Sequence, residues 1–72
     1  MTTDPKRILG MNVRSIREKR GISQERLAAI SGLHRTYVSG IERGNRNVSL
    51  INIVELAHAL QVPVTDLFKN FK

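Results

Sequence analysis

The segment Gln24–Arg43, QERLAAISGLHRTYVSGIER, restricts the folds open to this 72-residue chain more than any other stretch. It reads as two short helices joined by one tight turn. Gln24 opens the first helix, Ala28 follows four residues on, and Gly32 lies four beyond that. Val38 and Ile41 are three apart, on one face of the second helix. Two helices that cross near a right angle need a small residue where they touch, and Ala28 supplies it. The turn needs backbone in the left-handed region, which Gly32 enters without a Cβ penalty.

The flanks extend the helical pattern in both directions. Asp4 and Pro5 suit the N-cap and first position of an opening helix. Leu9, Val13 and Ile16 then form one apolar stripe, and Gly21 stops it. Ser23 caps the next helix, with Leu27, Ala28 and Ile30 facing inward. Leu33, Val38 and Ile41 form the core face of the third, which Gly44 ends. Asn45-Arg46-Asn47 is a polar loop. Ser49 caps a fourth helix with Ile53, Leu56, Ala57 and Leu60 inward. Pro63 breaks the chain, and Thr65 caps a last short helix carrying Leu67 and Phe68 into the core. The expectation is an all-α, compact five-helix bundle, one domain over residues 1–72. Two positions are irregular. His34 stands where Ser or Thr would cap better. Gly40 inside a helix costs about 1 kcal/mol against Ala, so it either admits a close partner or relieves crowding.

Composition narrows the function classes. The chain has no cysteine, so it holds neither disulfides nor a thiolate metal site. No apolar run approaches the ~20 residues that span a bilayer, and MTTDPKRILG has no signal-peptide h-region. A cytoplasmic protein is expected, with no membrane partner. Catalysis is not expected: His34, His58 and the serines have no partners in a recognisable pattern. There is no phosphate-binding glycine loop, zinc motif or nucleophile elbow. No cofactor or metal is implied. Twelve Lys and Arg oppose six Asp and Glu, a net charge of +6. Arg35, Arg43 and Arg46, with Arg26, cluster in and around the second motif helix, which favours a polyanion partner.

The spacing of Gln24, Ala28, Gly32, Val38 and Ile41 is that of a DNA-binding helix-turn-helix. The major groove admits one α-helix and shows each base pair as a distinct donor and acceptor pattern. A reading helix needs long polar side chains at its exposed start. Arg35, Thr36 and Ser39 meet that requirement. Arg35 can bridge guanine O6 and N7 with two parallel hydrogen bonds. Thr36 can meet a thymine methyl or a phosphate, and Tyr37 can stack on the sugar-phosphate edge or brace Arg35. Ser23 and Gln24 begin a helix whose free N–H groups and positive dipole end suit a phosphate.

IREKRGISQERLA before the turn and HRTYVSGIERGNRNVSL after it resemble the XRE, or lambda-repressor-like, helix-turn-helix family of bacterial and phage transcription regulators. The resemblance covers about residues 8 to 68. Within that family, HRTYVSGIERG followed by RN and Ser is most similar to the controller proteins of restriction-modification systems. The resemblance implies a phosphate clamp at Gln24. It implies phosphate or minor-groove contacts for Arg43, Arg46 and Asn47. It also implies that Glu42 pairs with Arg17 on the first helix, a structural role rather than base readout.

Two functions follow for test. The first is a sequence-specific regulator that binds double-stranded DNA as a homodimer on a two-fold symmetric operator, repressing or activating, with no small-molecule effector. The second is an antitoxin-type protein-interaction module with secondary DNA binding. Antitoxins usually carry a toxin-binding tail, so a chain that stops at Lys72 favours the first. One reading helix makes few base contacts, and two-fold pairing doubles them. Val64 and Phe71, in the apolar C-terminal stretch, are the expected dimer-interface residues.

Overall fold

The computed structural model describes residues 2–71. Four α-helices, α1 (Pro5–Lys19), α2 (Gln24–Ser31), α3 (Arg35–Glu42) and α4 (Leu50–Leu60), are followed by a 3-10 helix, Val64–Phe68. No strand occurs among the described residues. The fold is all-α, with four α-helices where the sequence suggested five. The fifth element is too short for an α-helix. Its bond from the Asp66 N–H to the Pro63 carbonyl spans three residues, the 3-10 pattern. Pro63, not Thr65, occupies its N-cap, and Thr65 lies inside it.

The helix boundaries follow from local chemistry. The carboxylate of Asp4 accepts from the Lys6 N–H, with Pro5 next, so α1 starts on a capped, pre-set turn. Ser23 accepts from the Arg26 N–H and Ser49 from the Asn52 N–H, capping α2 and α4. His34 occupies the N-cap of α3 with no side-chain hydrogen bond. Gly32 ends α2 at φ 74°, and the Leu33 N–H returns to the Ala28 carbonyl. Gln61 ends α4 in the same left-handed region at φ 58°, two residues before Pro63.

The core draws on every element. Val13, Leu27, Val38, Ile41, Leu56, Leu60 and Leu67 are fully buried. Ala28 is buried with them, and Leu33 packs at their margin. Two expected core residues lie outside it. On α2 the buried face is Leu27, Ala28 and Ser31, which turns Ile30 outward at 46% exposure. Phe68 is 40% exposed and meets Phe71 edge-on, with ring centroids 5.4 Å apart. Leu67 alone of that pair fills the core, because neighbours on so short a turn cannot both face inward.

Gly10 brings α1 close against α3. A Cβ there would collide with the carbonyl oxygens of Ile41 and Glu42, the latter at 2.8 Å. The absent side chain lets α1 lie directly against the end of α3. Seven residues on, the same face of α1 presents Arg17 to α3. Gly10→Ala therefore sets a helix-propensity gain of about 1 kcal/mol against overpacking of about 1–3 kcal/mol or more. The obstructing atoms are backbone and cannot rotate away. The expected net loss is about 2 kcal/mol, or a fall of about 10 °C in thermal midpoint. Circular dichroism melting checks it, and an unchanged midpoint would contradict the contact.

Candidate nucleic-acid interface

α3 buries Val38, Gly40 and Ile41 and leaves its opposite side at the surface. Arg35 and Thr36 are exposed and Ser39 is half-buried. With Arg43 these three line one shallow depression. A guanidinium nitrogen of Arg43 donates to the Ser39 Oγ at 2.9 Å, which places that cation over the middle of the helix. Thus the candidate base-reading residues form one contiguous polar surface with a cation at its edge.

Behind that surface sits a buried ion pair. Arg17 Nε donates to one oxygen of Glu42 at 2.7 Å, and a terminal guanidinium nitrogen donates to the other at 3.0 Å. The Glu42 side chain is 3% exposed and that of Arg17 12%. The remaining terminal nitrogen of Arg17 donates to the Ile22 carbonyl in the α1–α2 turn. The hydrogen bond that Arg17 donates to Glu42 holds its guanidinium above the ordinary pKa, against the lowering effect of burial. A raised basic pKa contributes stability at all pH values below that of the unfolded chain. The arginine therefore stays charged across the whole working range.

Gln24 joins the same carboxylate: its amide nitrogen donates to Glu42 at 3.0 Å. The residue read as a phosphate clamp is thus anchored from behind, with its second amide hydrogen unused by Glu42. Ser23 spends its oxygen on capping α2 and remains exposed. Arg46 and Asn47 are exposed in the loop after α3. The arginine that Tyr37 braces is Arg46, not Arg35. The Arg46 guanidinium lies 5.4 Å from the centre of the half-buried Tyr37 ring. Asn52 Nδ2 donates to the Tyr37 hydroxyl at 3.2 Å. Asn52 was not legible in the sequence, since its partner lies fifteen residues away and polar helix positions are ordinary.

At the C-terminal end, Val64 is half-buried and packs on the core, and Phe71 is 37% exposed beside Phe68. Larger apolar exposure occurs at the start of α4, where Leu50 and Ile51 are 69% and 74% exposed. Among the described residues, no three His, Asp or Glu side chains gather as a metal site, and no helix is long and apolar enough to cross a membrane.

Residues 13–67 match the helix-turn-helix family. The chain belongs to the helix-turn-helix family of DNA-binding transcription regulators. Within this family it is 53% identical over 64 residues to the control protein C.SmaI of Serratia marcescens, covering 89% of this chain and 76% of that one. It is 52% identical over 68 residues to the control protein C.BamHI of Bacillus amyloliquefaciens, covering 93% and 84%. The restriction-modification controller protein C.AhdI from Aeromonas hydrophila superposes with a TM-score of 0.86 at 51% identity, covering 88% of this chain and 96% of its own.

The ion pair yields a quantitative expectation. Removing one partner of a buried pair leaves an uncompensated charge, at a cost of about 3–5 kcal/mol. Glu42→Ala is expected to lose about 3 kcal/mol of stability, and Arg17→Ala a similar amount. Because both changes break one interaction, their double mutant should lose clearly less than the sum. Urea denaturation of the four proteins measures the coupling, and simple additivity would contradict it.

Proposed function

We propose that this helix-turn-helix protein binds as a homodimer to a two-fold symmetric operator and controls transcription for a restriction-modification system. In this reading α3 lies in the major groove, with Arg35, Thr36 and Ser39 reading base edges. Ser23, Gln24, Tyr37, Arg43, Arg46 and Asn47 engage the backbone or minor groove. It acts in the cytoplasm, on the nucleoid, and without catalysis. The observation that carries it is the contiguous polar surface of Arg35, Thr36, Ser39 and Arg43, backed by the buried Arg17–Glu42 pair. The controller role is supported by identities above 50% to control proteins named C.SmaI and C.BamHI. Selection of binding sites from a random duplex library tests the reading as a whole. An inverted repeat is expected, and enrichment of no sequence would end it.

Base reading and charge separate in mutants. Arg35→Ala is expected to cost about 1–3 kcal/mol of specific binding and to relax preference at one base step per half-site. Binding should weaken with salt, log K falling by about 0.9 per phosphate neutralised for each unit of log salt. Arg43→Ala should flatten that slope with little change in preferred sequence. Fluorescence anisotropy at several salt concentrations distinguishes the two. An Arg35→Ala protein with wild-type affinity and preference would remove Arg35 from the readers.

Pairing needs an apolar surface away from α3. Val64 and Phe71 are our proposed contacts, joined by Leu50 and Ile51 at the exposed start of α4. Val64 also packs on the core, so Phe71→Asp and Ile51→Asp are the cleaner changes. Two reading helices related by two-fold symmetry lie roughly 34 Å apart along the duplex. Analytical ultracentrifugation should find a dimer for the wild type and a folded monomer for the double aspartate variant. A wild-type monomer at tens of micromolar (about the range where weak dimers form) would refute the pairing.

A further inference from the structure

We infer that Gly40 is a positioning residue for Arg46: it holds this loop arginine against α3, so that Arg46 reads sequence and does not merely add charge. The inference rests on the proposed DNA binding through α3. Gly40 is buried within α3, where alanine would be the better helix former. A Cβ at Gly40 would stand 3.1 Å from Cγ, 3.2 Å from Nε and 3.7 Å from Cδ of Arg46. These are the nearest atoms outside the adjoining backbone of α3, so the space a side chain would fill is taken by the Arg46 stem. Three further contacts point the same way. The Asn45 N–H donates to the Gly40 carbonyl at 2.9 Å, tying the loop backbone to the same residue. One turn earlier on α3, the Tyr37 ring underlies the Arg46 guanidinium. Asn52 holds the Tyr37 hydroxyl and so fixes the ring. An exposed arginine on a polar loop ordinarily samples many rotamers and meets phosphates as a mobile charge. Here stem and guanidinium are both seated, and a guanidinium fork reads bases only when its plane is oriented.

The test compares wild type, Gly40→Ala, Gly40→Gln, Arg46→Ala, Arg46→Lys and the Gly40→Ala/Arg46→Ala double mutant. Each is first melted by circular dichroism, then tested on the duplex that wild type selects from a random library. Failure of the wild type to enrich any duplex would overturn the proposed function, and this inference with it. Given enrichment, Gly40→Ala is expected to keep or raise the thermal midpoint while losing about 3-fold in affinity, the scale of a displaced rotamer. Gly40→Gln, which fills the seat, should lose about 10-fold, as for a lost base contact. Both should relax preference at the base pairs that Arg46→Ala relaxes. Gly40→Ala should cost nothing further once Arg46 is Ala. Arg46→Lys keeps the charge but not the planar group, and should lose the preference while keeping the salt slope. The inference is overturned if either Gly40 variant binds and selects as wild type does. It is equally overturned if the Gly40→Ala loss persists in the Arg46→Ala background, which would mean that Gly40 makes room for the duplex itself. Retained wild-type preference in Arg46→Lys overturns it too, and that arm stands even if a Gly40 variant fails to fold.

Discussion

The structure turns on one carboxylate. Glu42 ends α3, and its two oxygens take the Arg17 fork from α1 and the Gln24 amide from α2. Three helices meet at one charge that water barely reaches. Such a pair offers little net stability over a well-packed apolar contact, because desolvating both charges offsets much of the attraction. What it imposes is geometry. A bidentate guanidinium–carboxylate contact tolerates little rotation or translation, so the angle between α1 and the α2–α3 motif is set at this point. The close approach at Gly10 is the steric counterpart. It brings α1 near enough for the fork to reach.

The same arrangement resolves an electrostatic conflict. A free carboxylate beneath a surface of exposed arginines would oppose their attraction for a polyanion. Here its charge is matched by Arg17 inside the protein, while Arg35, Arg43 and Arg46 remain at the surface. Gln24 connects the two layers, since its amide donates to the buried carboxylate while the residue itself stays half-buried at the start of α2. With that carboxylate paired internally, it does not offset the exposed cations on this face.

Much of this was legible in the sequence because it rests on local chemistry. Asp4, Ser23 and Ser49 cap by hydrogen bonds to residues two or three positions on. Gly32 adopts the backbone that a tight interhelical turn demands. The misplaced residues depend on relations that no local pattern carries. Ile30 fits an apolar helix stripe, yet the small Ala28 and back-bonded Ser31 set the buried face of α2, and Ile30 falls beyond it. Phe68 reads as core because it is large and apolar, but Leu67 takes that place and a five-residue turn has one inward face. Gly10 carries no local signal inside a good helix, since its reason lies in α3, some thirty residues away. For Tyr37, the neighbour in sequence, Arg35, was a plausible partner. The partner in space arrives from the loop after Gly44.

α3 itself is poorly made as an isolated helix. It has eight residues, an N-cap without a side-chain bond, and a glycine in its interior. Helices this short are not stable alone in water. Its order comes from Val38 and Ile41 in the core and from Glu42 at its end, all on the buried side. That division frees the outer side from any structural duty. The side chains of Arg35 and Thr36 are exposed, and no buried residue of the core depends on them. Violations of local preference are expected where function competes with stability. Here the violations, His34 and Gly40, sit at the start of the exposed face and beneath the loop arginine. The outer surface is therefore only as rigid as the core behind it, and a core change that loosens Glu42 reaches that surface without touching it.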